Sequence, residues 1–151
     1  MIKRRLFLFS LAVTPIMVTA PSAFAMKPEI YESWGVAIKG YDPVGYFKEK
    51  RPVKGSSDFE FVYKGATFRF ASATNLADFK ANPERYAPQY GGYCAWAVSH
   101  GYTASIDPQA WTIVGDKLYL NYSLRVRSQW EADKQNRIRL ADQNWPAVLN
   151  R

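Results

Sequence analysis

The chain has 151 residues, one cysteine, one histidine and a formal net charge of +7. A single cysteine excludes an internal disulfide framework, and a single histidine excludes a His-rich metal site built by one chain. The basic residues are scattered among acidic ones rather than gathered in a stripe. The charge is therefore a solvated face and not a nucleic-acid footprint.

Lys3, Arg4 and Arg5 form a basic start, and the apolar run from Leu6 to Val18 follows it. Ala23 and Ala25 then put small residues at a cut, which is the order of a cleaved secretory signal. The run is shorter than the roughly 20 residues of a spanning helix, so no stable membrane anchor is expected. The pattern predicts export to the periplasm by the general secretory route. The adjacent Arg4 and Arg5 lack the flanking pattern of a twin-arginine signal. Cleavage after Ala25 leaves 126 residues, a single domain over 26–151. It removes three basic residues and no acidic one, so +7 becomes +4.

Residues 26–40 are predicted as an extended arm, with Trp34, Val36 and Ile38 on the buried face of a short strand. Asp42 before Pro43 marks a helix start, with Asp42 as its cap rather than a catalytic acid. Phe59, Phe61 and Tyr63 alternate with polar neighbours up to Lys64-Gly65, and Ala66, Phe68 and Phe70 resume the alternation. Together they predict a hairpin with an aromatic inner face. Ser72 caps a helix through Lys80, which Asn82-Pro83 ends.

Gly91-Gly92 is expected to be a backbone hinge before a short helix over 93–100. Trp111–Val114 and Leu118–Tyr122 predict a second hairpin around Gly115-Asp116. From Ser123 one long helix is expected to about Asn144, with Pro146 beyond it. The fold class is α+β: a small antiparallel sheet of hairpins with packed helices. The many aromatic residues are assigned to the core.

Cys94 is the one candidate site residue. In the first turn of the 93–100 helix, unpaired N–H groups and the dipole would favour its thiolate. The competing assignment is a small buried hydrophobe, since free cysteine is among the most buried residue types. His100 is an unsuitable partner, because six helical residues turn about 600° and separate the two side chains.

From Tyr41 to about Pro146 the chain resembles the YHS domain-containing proteins, in particular a secreted branch that includes selenoproteins. The segments carrying the resemblance are Gly40-Tyr41-Asp42-Pro43-Val44, Phe70-Ala71-Ser72, Phe79-Lys80-Ala81-Asn82-Pro83-Glu84-Arg85-Tyr86, Gly91-Gly92-Tyr93-Cys94-Ala95 and Asp116-Lys117-Leu118-Tyr119-Leu120-Asn121-Tyr122. The resemblance implies metal handling through cysteines after the Asp-Pro-Val and in a Phe-Cys-Ser-x-x-Cys segment. Here those positions are Gly45, Ala71 and Asn75, so that ligand set does not carry over. It also implies selenocysteine in some relatives in place of a cysteine such as Cys94.

Three functional classes remain open. Cys94 is a metal ligand for copper or a similar soft ion, with a partner protein or a second copy completing the site. Alternatively it is a redox thiol needing an external resolving thiol. The third class is a non-catalytic interaction domain with an inert cysteine. Enzymatic turnover is left open by the sequence.

Protein recovered from the periplasm is expected to begin at Met26 on N-terminal sequencing. An intact N-terminus in the membrane fraction would overturn both the cleavage and the expectation of no membrane anchor.

Overall fold

The computed structural model describes residues 25–151, so the signal expected over 1–25 lies, apart from Ala25, outside the described residues. Among the described residues no helix is long and apolar enough to cross a membrane. The fold is mixed helix and strand, as expected. Three separate antiparallel ribbons replace the one small sheet: β1 (Glu32–Ser33) with β2 (Val36–Ala37), β3 (Ser56–Tyr63) with β4 (Ala66–Phe70), and β5 (Asp107–Val114) with β6 (Lys117–Asn121).

Each ribbon turns through two residues at positive φ: Trp34-Gly35, Lys64-Gly65 and Gly115-Asp116. Such turns carry the twist that hairpin strands require. The first of them corrects the expected arm. Trp34 stands at the tip, wholly exposed, while Ala37 and Ile38 are buried. The turn breaks the alternation that had placed Trp34 inside.

Helix α1 (Pro43–Lys48) starts where Asp42-Pro43 places it. Asp42 Oδ1 accepts from the N–H groups of Val44 at 2.8 Å and Gly45 at 3.4 Å. The other oxygen does more than cap. It accepts from the Ala71 N–H at 2.9 Å and the Asn75 side-chain amide at 2.7 Å. Asp42 is 0% exposed, and these four donors replace its water. One carboxylate thus joins α1, the end of β4 and α2 (Ala73–Ala81).

Phe79 on α2 is the centre of the inner aromatic face. Phe68 and Phe70 lie at 5.1 Å, Tyr63 at 5.6 Å and Phe61 at 6.2 Å between ring centroids. Burial of rings this size is worth several times an exposed ion pair such as Arg69–Glu60. Helix α3 (Pro83–Tyr86) follows at once, capped by Asn82. On the far side of α1, the buried Tyr46 hydroxyl donates to the Pro108 carbonyl at 2.9 Å, tying α1 to β5.

The glycine pair is not a free hinge. Gly91 has φ +62, and an added Cβ would meet the Glu29 carbonyl oxygen at 1.7 Å. The Tyr31 N–H donates to the Gly91 carbonyl at 2.9 Å, so the N-terminal arm clamps this segment. Glycine is needed there for a close backbone approach.

The long C-terminal helix is two: α5 (Leu124–Glu131) and α6 (Lys134–Asn144), broken at Asp133 with φ −140 and ψ 35. The break lets each half find a different partner. Thr112 on β5 donates to Glu131 of α5 at 2.7 Å. On α6, Asn144 donates to the Val98 carbonyl at 2.8 Å, and Asp142 accepts from the Tyr90 hydroxyl at 2.8 Å. A straight helix could not make both sets of contacts.

Asp42→Ala is expected to destabilise the fold by on the order of 3 kcal/mol, since it strands the half-buried Ala71 N–H and the buried Asn75 amide. Chemical denaturation measures the loss. A change below about 0.5 kcal/mol would mean the carboxylate does not organise these elements.

Candidate functional site

Cys94 immediately precedes α4 (Ala95–Ser99) rather than sitting in its first turn, and its backbone is not helical (φ −55, ψ 116). Its carbonyl accepts from Val98 at 3.0 Å, and its N–H donates to Ala104 at 3.1 Å. The side chain is 1% exposed. It belongs to the core cluster of Phe68, Phe70, Phe79 and Leu120, while its neighbours Ala95 and Val98 belong to the cluster around Tyr119 and Trp130. The sulfur therefore lies where the two clusters meet.

Of the two assignments open for Cys94, the favoured thiolate and the small buried hydrophobe, its burial supports the second. Burial pushes the Cys94 thiol up from its ordinary value, and the backbone N–H groups of Ala97, Tyr122 and Trp96 only partly oppose it. A five-residue helix has too little dipole to reverse that balance.

One partner of the sulfur was not assigned from sequence. Asn121, the last residue of β6, is 0% exposed, and its Oδ1 lies 3.7 Å from Cys94 Sγ. The same oxygen accepts from the Trp96 N–H at 3.0 Å. That backbone donor fixes which end of the carboxamide is oxygen, and the nitrogen, Nδ2, is left buried with no hydrogen-bond partner. The sequence held one signal for it: a polar residue closing the apolar run Leu118-Tyr119-Leu120.

Cys94 lines a cavity of about 240 Å³ together with Trp96, Ala97, Tyr102, Ala104, Tyr122 and Val126. The wall is apolar and aromatic. Tyr102, Tyr122 and the adjacent Leu124 are exposed.

The structure does not bring Cys94 and His100 together. The His100 ring lies against Trp96 with centroids 4.5 Å apart. Its Nδ1 is 2.8 Å from the Trp96 carbonyl, and its Nε2 is 3.1 Å from Arg137 Nη1. Arg137 also stacks on Trp96 at 4.5 Å. Among the described residues no three His, Cys, Asp or Glu side chains gather as a metal-ligand set. The three positions where the resemblance implies thiolates meet at Asp42 instead: Gly45 and Ala71 by their N–H groups, Asn75 by its amide. None of the three supplies a thiolate.

The family model of the YHS domain matches residues 44–90. The chain carries a YHS domain. No curated protein and no solved structure matches the chain. The YHS match takes in α1, the β3–β4 ribbon, α2 and α3, and it ends four residues before Cys94. The thiol, Asn121 and their cavity lie outside the matched span.

Because the folded thiol is raised, native-state alkylation of Cys94 should be slower than that of free cysteine at neutral pH, and its rate midpoint should lie at higher pH. The protonated form dominates below the unfolded value of about 8.5. The stability it contributes is intact there and is lost as pH rises through the folded value. The parent should therefore lose stability relative to Cys94→Ser above about pH 8.5. A rate midpoint below that of free cysteine would refute the assignment of burial as the dominant influence.

Proposed function

We propose that this chain is an exported thiol protein that captures a small sulfur compound at Cys94 as a mixed disulfide. The observation that supports this reading is a lone thiol lining an apolar cavity large enough for a ligand of a few heavy atoms. Export is supported by the N-terminal pattern, and an oxidising compartment supplies disulfides.

The exchange balances without any other oxidant. The Cys94 thiol loses its proton to solvent, and the thiolate attacks one sulfur of a disulfide R–S–S–R. The Cys94 Sγ–S bond forms, the old S–S bond breaks, and RS⁻ leaves with the electron pair and takes a proton. Burial makes the thiolate scarce, so capture is slow. It also makes Cys94 a poor leaving group, so the adduct persists. Slow formation and slow release suit retention rather than turnover. Release needs an external thiol, since the chain has no second cysteine.

A second reading keeps the metal handling that the YHS resemblance implies. Cys94 is then one soft donor for an ion such as Cu(I), with the remaining ligands from a partner or a second copy. The exposed Tyr102, Tyr122 and Leu124 at the cavity favour it, because they offer an apolar surface for such a partner. The described residues of one chain do not fit a complete site.

Incubating folded protein with 2-hydroxyethyl disulfide should add one mass adduct, removed by reductant and absent from Cys94→Ser. Labelling that appears only after unfolding would mean that Cys94 is a core thiol. Tight Cu(I) binding that survives Cys94→Ser would remove the thiol from any metal site.

A further inference from the structure

The cavity that Cys94 lines has a chemistry of its own, apart from the sulfur. No charged side chain lines it among the described residues, and three of its walls are rings. Trp96 comes from α4, Tyr102 from the turn after α4 and Tyr122 from the residue just past β6, with Val126 of α5 beside them. Trp96 is held from one side. The Arg137 guanidinium lies 4.5 Å from its ring centre, and the His100 ring centroid also lies at 4.5 Å. His100 Nε2 is 3.1 Å from Arg137 Nη1. Two groups in contact with each other cannot cover opposite faces of one indole, so both occupy the same side. The indole is thereby fixed before any ligand arrives, and its remaining surface is left for the cavity. Tyr102 and Tyr122, 49% and 57% exposed, form the mouth.

Water against such walls finds few hydrogen-bond partners, and an apolar cavity of about 150 Å³ is enough to hold benzene. At about 240 Å³ this one takes a single ring with a short substituent. An ionic ligand would lose its hydration to walls that return no charge. A flat ring, by contrast, gains edge-to-face or offset contacts with aromatic walls beyond what its buried area supplies. We propose that the cavity binds a small neutral aromatic compound, one ring wide, without a covalent bond. The ring packs among Trp96, Tyr102 and Tyr122, and a polar substituent stays at the mouth. This binding needs no reaction at Cys94, so it stands apart from mixed-disulfide capture.

The test titrates folded, isotope-labelled protein in reductant with benzyl alcohol and with cyclohexylmethanol, followed by NMR. The two probes differ only in whether the ring is aromatic, and neither contains sulfur. Hydrophobicity alone favours the saturated one. Benzyl alcohol should bind in the millimolar range or tighter and shift the amides of Tyr102, Ala104 and Tyr122. It should bind about fivefold more tightly than cyclohexylmethanol, the factor that aromatic contacts supply. Val126→Trp fills the cavity from α5 and should weaken binding by about tenfold or more. If Val126→Trp does not fold, Tyr102→Ala removes an exposed wall instead, and the preference should fall towards one. Equal or tighter binding of the saturated probe overturns the aromatic selection. Shifts confined to another part of the protein, or binding that the variants leave unchanged, overturn the site. Absence of binding by either probe overturns the proposal, while reaction with 2-hydroxyethyl disulfide in a separate sample still decides capture.

Discussion

The buried carboxylate of Asp42 is the interaction on which the rest of the structure depends. A carboxylate removed from water must find donors, and here it finds four N–H groups from three different elements. Those bonds set where α1 begins, where β4 ends and how α2 is turned. Once α2 is held there, Phe79 points into the β3–β4 ribbon, and the aromatic cluster closes around it. Tyr46 on α1 then reaches Pro108, so the same knot indirectly places the β5–β6 ribbon. β6 in turn ends at Asn121, beside Cys94.

This chain of dependence separates scaffold from chemistry. The YHS domain match, residues 44–90, covers the elements that Asp42 organises. The positions at which the resemblance implies thiolates are spent within it on hydrogen bonds to one carboxylate. The cavity instead belongs to the following segment, where α4, β6 and the start of α5 meet. Gly91 links the two parts, since only a residue without Cβ lets the N-terminal arm lie against the chain just before Cys94.

At Cys94 two opposing influences meet. Core burial disfavours the thiolate, and nearby backbone N–H groups favour it; burial is the larger. Such a thiol is a slow nucleophile at neutral pH, but its adducts resist displacement. The aromatic wall serves both clusters and cavity: Trp96 lines the cavity and also carries Arg137 and His100 stacked on it. His100 is thereby committed to the end of α4, which leaves the thiol without a general base.

Local chemistry was legible in the sequence by itself. The Asp42-Pro43 start, the Ser72 cap, the helix end at Asn82-Pro83, the Lys64-Gly65 and Gly115-Asp116 turns and the inward Ala66-Phe68-Phe70 face all depend on neighbours within a few residues. So did the choice of Cys94, the one thiol in the chain, and the rejection of His100. What lay beyond reach were the outcomes decided by distant partners. Trp34 left the core because a tight turn outweighed its hydrophobicity. The 123–144 helix broke because its two halves had different surfaces to cover. Gly91-Gly92 became a close-packed crossing because Glu29 lies against it. Between the two assignments open for Cys94, burial decided, because that property of the assembled core exceeded what a short helix start could offer. Asn121 met the sulfur across 27 positions of chain, a distance over which no periodicity or motif carries information; only tertiary packing could put them together.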